Sequence, residues 1–154
     1  MIKVLFVCTG NICRSPMAEY LFRDLVQKEG LSGKFSISSA ATSSEEIGNP
    51  VHRGTRQILN DLGISCAEKR AVQMTRRDYE TYDYLIGMDN WNIRQMRRIT
   101  DGDPDRKIFQ LLDFTGSSRE IEDPWYTGDF QTTYQDVETG CRAFLNELRR
   151  KKLC

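Results

Sequence analysis

A chain of 154 residues has room for one hydrophobic core, so residues 1–154 read as a single domain. Its 22 basic and 22 acidic side chains cancel, leaving no net field to recruit nucleic acid or an anionic membrane surface. No run of about 20 apolar residues can span a bilayer. The apolar start Met1–Val7 is too short for a secretory h-region, and five cysteines without such a signal fit a reducing cytoplasm better than a disulfide framework.

Ile2 to Val7 is apolar except for Lys3, the pattern of a central parallel strand buried on both faces. A polar stretch, Cys8 to Ser15, follows it. From Pro16 to about Lys28, Met17, Tyr20, Leu21, Leu25 and Val26 recur at helical spacing, and Gly30 closes the helix. Phe35 to Ser39 reads as a second strand, completing a right-handed strand–helix–strand unit. Ala41 to Pro50 is a polar loop, and a helix from near Arg53 ends at Gly63. Cys66 to Met74 has no clear assignment. Thr75 starts a short helix, Tyr84 to Met88 is a third strand, and Asp89 caps a helix to about Ile99 with Trp91, Ile93 and Met96 as apolar positions. Asp101–Asp105 is a turn, Lys107 to Leu112 a fourth strand, and Asp113 to Asp129 a long candidate functional loop. Gln131 to Lys152 is the last helix, with Val137, Cys141, Phe144, Leu145 and Leu148 on one face. The alternation predicts an α/β fold, a four-stranded parallel doubly wound sheet with helices on both faces.

The chemistry concentrates in Cys8-Thr9-Gly10-Asn11-Ile12-Cys13-Arg14-Ser15. Gly10 takes positive φ without steric cost and Asn11 tolerates it, so the loop can turn successive N–H groups inward as a nest for an anion. The following helix adds unpaired N–H groups and the positive end of its dipole. Arg14 has a planar fork that grips two oxygens of a phosphate. A helix N-terminus and a neighbouring Arg lower thiols to roughly 3.5–7.5, which makes Cys8 the candidate nucleophile. Ser15 either stabilises that thiolate or serves as a plain N-cap before Pro16, and both can hold. In open α/β sheets ligands bind outside the carboxyl ends of strands, where this loop lies.

A metal would need further ligands beside Cys8 and Cys13. His52 is the only histidine, and Cys66, Cys141 and Cys154 are scattered, so neither metal nor cofactor is expected. Cys13 either packs the loop or forms a reversible disulfide with an oxidised Cys8. Hydrolysis of a phosphate ester needs a proton for the leaving oxygen. His52 is one source, but Asp123 in Glu122-Asp123-Pro124-Trp125-Tyr126 is the better candidate, because Pro124 stiffens the turn behind it and its loop emerges at the same sheet edge. Glu120 and Glu122 read as solvated. Trp125 and Tyr126 are costly to expose without use and can flank a phenyl ring. Such a slot lets the thiolate reach phosphotyrosine, whereas the shorter phosphoserine falls short.

The run Val4 to Glu19 resembles the N-terminal signature of the low-molecular-weight protein tyrosine phosphatases. Ser39-Ala40-Ala41-Thr42-Ser43, Ile47-Gly48-Asn49-Pro50, Asp83-Tyr84 with Met88-Asp89, Glu122-Asp123-Pro124-Trp125 and Cys141-Arg142-Ala143-Phe144-Leu145 resemble further family segments in the same order. The resemblance implies that family's flavodoxin-like fold and metal-independent hydrolysis of protein phosphotyrosine and small aryl phosphates. Cys8 would attack phosphorus, and Asp123 would serve as general acid and then as base for water. Arg14 and the amides of Thr9 to Arg14 would hold the equatorial oxygens. A carboxyl that must start protonated predicts a mildly acidic optimum. By the same resemblance Asn11 and Ser39 bond to each other and hold the loop, Asp89 lies near Arg14 or merely caps its helix, and Arg53 steadies the structure. The expected state is a cytoplasmic monomer whose partners are phosphotyrosine proteins, with phosphate or other tetrahedral oxyanions in the loop.

Three residues depart from the family pattern. Glu45 stands where many members carry an aromatic pocket wall, which should either weaken substrate choice at the rim or redirect it, for instance toward basic flanking residues. Lys69 stands where the family often has a His helping to hold Asn11, and Val72 replaces a frequent Arg. Three rivals compete. Protein-arginine phosphatases resemble this loop but carry Thr where this chain has Ile12, and the bulkier Ile12 suits an aryl group. A thiol-based arsenate reductase would need a cysteine pair near residues 80–90, which is missing. A phosphoryl carrier would have no use for Asp123. The basic cluster Arg94, Arg97 and Arg98 reads as a solvated face.

Overall fold

The computed structural model describes residues 1–154. Strands β1 (Ile2–Cys8), β2 (Phe35–Ala41), β3 (Tyr84–Gly87) and β4 (Ile108–Gln110) form one parallel sheet in the order β2-β1-β3-β4. The helices are α1 (Arg14–Lys28), α2 (Arg53–Asp61), α3 (Arg76–Thr81), α4 (Asn90–Ile99), α5 (Pro124–Thr127) and α6 (Phe130–Arg150). This is the expected doubly wound arrangement. Because side chains alternate along a strand, β1 splits its apolar run between two faces. Val4, Phe6 and Cys8 join α1 and α6 in a core of 23 buried residues. Leu5 and Val7 pack with Tyr79 of α3 and Met96 of α4 in a core of 8.

The order of strands sets the place of the site. The chain winds outward from β1 to β2, then returns to the other side of β1 to build β3 and β4. The carboxyl ends of β1 and β3 therefore flank the crevice where the winding reverses, the usual ligand position in such sheets. Aromatic packing fixes α6 against this frame: the Phe144 ring lies 4.8–5.2 Å from the rings of Phe22, Tyr84 and Phe114. The α6 face Val137, Cys141, Phe144, Leu145 and Leu148 is buried as its spacing requires. No helix is long and apolar enough to cross a membrane.

Several elements differ from the sequence reading. β2 runs on to Ala41, and Gln73 of the unassigned stretch bridges to that end residue. The fourth strand stops at Gln110, and Leu111 enters a 3₁₀ turn that buries Leu111 and Leu112. Trp91 is exposed, not part of the α4 core; the sheet-facing side of α4 carries Asn92 and Met96, one turn apart. Thr75 does cap α3, in a reciprocal box with Asp78.

Candidate active site

The loop after β1 is held from outside by its carbonyls. Thr9 O accepts from Ser43 N at 3.1 Å, Ile12 O from His52 N at 2.8 Å, and Cys13 O from Thr55 Oγ1 at 3.0 Å. The amides of Gly10, Ile12, Cys13 and Arg14 find no acceptor within the protein, while those of Asn11 and Ser15 point at the Cys8 sulfur, at 3.3 and 3.4 Å. The left-handed turn falls on Asn11, with φ 58°. Gly10, expected to supply it, has no positive φ; its missing Cβ instead leaves room for Glu46, whose Cγ would lie 3.3 Å from a Cβ there.

Asn11 is buried and all its side-chain groups are used. Its Nδ2 donates to Ser15 Oγ at 2.7 Å and Ser39 Oγ at 2.9 Å, and its Oδ1 accepts from Val72 N at 3.1 Å. Those donations leave the hydroxyl protons to other acceptors. Ser39 passes its proton toward Glu19 Oε1, 2.6 Å away. Ser15 Oγ sits 3.0 Å from Cys8 Sγ and 3.4 Å from Ala40 O, so its one proton has two acceptors in reach, the sulfur being the nearer. The plain-cap reading of Ser15 is corrected: α1 begins at Arg14, two residues before Pro16, and Cys13 holds the cap position. Lys69 donates to Ser39 O at 3.0 Å and stands 3.9 Å from Glu19, so it steadies Asn11's partner, not Asn11 itself. Burial lowers the Lys69 pKa and Glu19 opposes that shift. Val72 contributes its backbone N–H; its side chain is exposed.

Arg14 is 1% exposed. Its Nη1 donates to Asp89 Oδ2 at 2.7 Å and to Ile121 O at 2.8 Å, and its Nη2 is 3.5 Å from Asp123 Oδ2. Burial works against the charge, but Cys8, Asp89 and Asp123 outweigh it and hold the guanidinium above its ordinary pKa. Its Nε is buried with no partner. Asp89 fills both roles open to it, since its other oxygen caps α4 through Asn92 N at 2.7 Å. Asn92 in turn donates to Thr9 Oγ1 at 3.1 Å.

Cys8, Thr9, Gly10, Ile12, Cys13, Arg14, Glu45, Asp123, Trp125 and Tyr126 line one cleft, together with Ser43 and Glu46. Its volume is about 130 Å³, comparable with the ~150 Å³ apolar cavity that takes up benzene. Asp123 caps α5 through Trp125 N at 3.0 Å. Trp125 and Tyr126 are 57% and 84% exposed, so they form an open wall. His52 does not line the cleft. Its Nδ1 accepts from Gly54 N and its ring stacks on Phe130 at 4.9 Å, so it is engaged as a cap for α2. Burial, then the charges of Cys8 and Asp123, push the Cys13 thiol far above its ordinary pKa, so it stays neutral. No three His, Cys, Asp or Glu side chains gather in a metal-holding group.

Glu120 is exposed, as expected, and also accepts from Asn90 N at 2.8 Å at the start of α4. One expectation fails here. Arg53 does not brace anything: it is exposed in the first turn of α2 and forms no ion pair, at the helix end that repels cations. Glu19, Glu46 and the Ile121 carbonyl were missed. Only Glu19 left a signal, because it shares the buried α1 stripe Ser15, Glu19, Phe22 and Val26, where a carboxylate needs a partner.

The sequence model of the family described as "Low molecular weight phosphotyrosine protein phosphatase" matches residues 3–153. The chain is 44% identical to the low molecular weight protein-tyrosine-phosphatase YfkJ of Bacillus subtilis, over 99% of both chains. It is 41% identical to the human low molecular weight phosphotyrosine protein phosphatase over 94% of each. The crystal structure of YfkJ superposes with a TM-score of 0.94, covering 99% of this chain and 97% of the other. A Drosophila arginine phosphatase superposes at 0.87 with 29% identity, covering 95% and 97%. The chain therefore belongs to the low molecular weight protein tyrosine phosphatase family.

Proposed function

We propose that this enzyme hydrolyses protein phosphotyrosine and small aryl phosphates through a phosphocysteine on Cys8, without a metal, as one cytoplasmic domain. The Cys8 thiolate attacks phosphorus while the P–O bond to the aryl group breaks, and Asp123 gives its proton to the departing phenoxide. The Asp123 carboxylate then takes a proton from water, the water oxygen bonds to phosphorus, and the P–S bond breaks to return the thiolate. Arg14 and the unpaired loop amides hold the three equatorial oxygens. Ser15, oriented by Asn11, stabilises the sulfur as nucleophile and as leaving group. The observation that carries this reading is the partnerless Nε of buried Arg14, in the same cleft as Cys8 and Asp123.

Ile12 supports an aryl substrate. It packs with Cys13 and Ala71 beside Phe130 and gives the cleft an apolar wall where a guanidinium would want polar partners. The test is phosphate release at about pH 5–7 with chelator present, using matched phosphotyrosine, phosphoserine and phosphoarginine substrates. Turnover of phosphotyrosine that disappears in Cys8→Ser is expected. Preference for phosphoarginine would overturn the substrate class, and no turnover of any substrate would overturn the reaction.

A further inference from the structure

We propose that Glu45 and Glu46 make the cleft selective for phosphotyrosine segments that carry Lys or Arg beside the phosphorylated residue; the proposal rests on the phosphotyrosine reading above. The cleft separates its charges by depth. Its only cationic lining residue is Arg14, at the floor, with Nε free for a ligand oxygen. The other charged lining residues are Asp123, Glu45 and Glu46, all acidic. A phosphoryl dianion is thus drawn to the floor while whatever flanks it meets carboxylates.

Those carboxylates are available. Neither is in an ion pair: the Glu45 side chain accepts no hydrogen bond, and Glu46 accepts only from the neutral Asn49 amide. They are also held in place. Thr42 N and Ser43 N donate to Cys8 O and Thr9 O at 2.9 and 3.1 Å, tying the start of their loop to the catalytic loop. Gly48 N and Asn49 O bond to Ala71 at its far end, both at 2.9 Å. The stem of Glu46 packs over Gly10, so its position is set by the floor itself. Across the cleft, Trp125 and Tyr126 offer exposed ring faces along which the stem of a Lys or Arg can lie.

A flanking cation therefore gains two unneutralised carboxylates, and a flanking Glu or Asp is repelled by them. Exposed pairs of this kind change an equilibrium by about two- to fivefold each, so the two together give a preference of about tenfold. The preference must shrink in salt, because the screening length falls from about 10 Å at 0.1 M to about 3 Å at 1 M.

The test uses three phosphotyrosine peptides of equal length, flanked on both sides by Lys, Gln or Glu, and reads kcat/KM for each. In the wild-type enzyme at low salt the Lys-flanked peptide should exceed the Glu-flanked one by about tenfold. The ratio should contract toward unity in E45Q/E46Q, invert in E45K/E46K, and contract in wild type at about 0.5 M NaCl. Taking a ratio within each variant cancels any general loss of activity or folded fraction. A wild-type ratio near unity, or one that E45Q/E46Q leaves unchanged, overturns the selectivity and leaves the phosphotyrosine reading standing. Failure of the wild type to release phosphate from all three peptides overturns both.

Discussion

The floor and the wall of the cleft are built on opposite principles. The floor, Cys8 to Ser15, joins a strand buried on both faces to a buried helix start, and Asn11, Arg14, Ser15, Ser39 and Glu19 beneath it are all at most 3% exposed. Its carbonyls are tied down outside and its side chains are locked by one another, so donors are already aimed before any substrate arrives. Such preorganisation is where electrostatic catalysis draws its strength. The wall, Asp123 to Tyr126, stands on a four-residue helix with its rings in solvent. The two meet at one residue, because Arg14 reaches from the floor to the Ile121 carbonyl and the Asp123 carboxylate. On the proposed mechanism the rigid half would hold the transition state, and the open half would supply a proton and choose what enters.

Breaking the floor at its reactive atom should have the largest effect. Cys8→Ser keeps the amides and Arg14 but replaces the nucleophile, and kcat should fall by roughly 10⁴–10⁶. Phosphate should still bind the variant, which equilibrium dialysis can read. Asp123→Asn removes the proton donor from the wall and should lower kcat about 10²–10⁴-fold on phosphotyrosine. The loss should shrink for nitrophenyl phosphate, whose leaving group needs no proton. An equal loss on both substrates would mean that Asp123 acts by holding the wall and not by proton transfer.

Asn11→Ala attacks the lock under the floor without touching the substrate. It strands partners at Ser15, Ser39 and Val72 and puts Ala at φ 58°. The cost should be on the order of 3 kcal/mol, at about 2–4 °C of Tm per kcal/mol for a domain of this size. Asn11→Asp sharpens the test, since it keeps the acceptor for Val72 N but loses both donors and sets a negative charge beside the sulfur. It should lose more activity per degree of Tm than Asn11→Ala, measured by kcat and thermal melts together.

The floor was legible in the sequence because its chemistry is contiguous. Eight consecutive residues carry the candidate nucleophile, the turn and the guanidinium, and alternating strand and helix patterns place them at the sheet edge. Asp123 was legible because a proline and two aromatics mark its loop. What escaped is made by distant pieces of chain. No local pattern brings Ile121 O to Arg14 or Glu46 onto Gly10, and the turn conformation falls on Asn11, whose side chain has three partners to hold it there, whereas Gly10 has no side chain to anchor. Trp91 misled for the converse reason: hydrophobicity alone placed it inward, whereas the geometry of α4 gave the inward position to Asn92, whose amide serves Met88 and Thr9.

The finest probe of the boundary between the two halves is the clamp at Arg119. Its guanidinium meets Asp136 of α6 through two parallel bonds, at 3.0 and 2.9 Å, and its carbonyl accepts from Gln110 Nε2. Two residues on, Ile121 bonds to Met88 through its N–H and to Arg14 through its carbonyl. The clamp thus fixes the strap that carries Asp123, although neither Arg119 nor Asp136 lines the cleft. Exposed ion pairs are individually weak, but a bidentate fork is the geometry in which they count. Asp136→Asn should therefore lower kcat by about two- to fivefold with KM nearly unchanged. Arg119→Lys should rescue little, because an ammonium cannot reproduce the fork. The charge-swapped pair Arg119→Asp with Asp136→Arg should recover part of the loss. A pure stability role would instead lower Tm and leave kcat per folded molecule untouched, so titrating active sites in each variant separates the two.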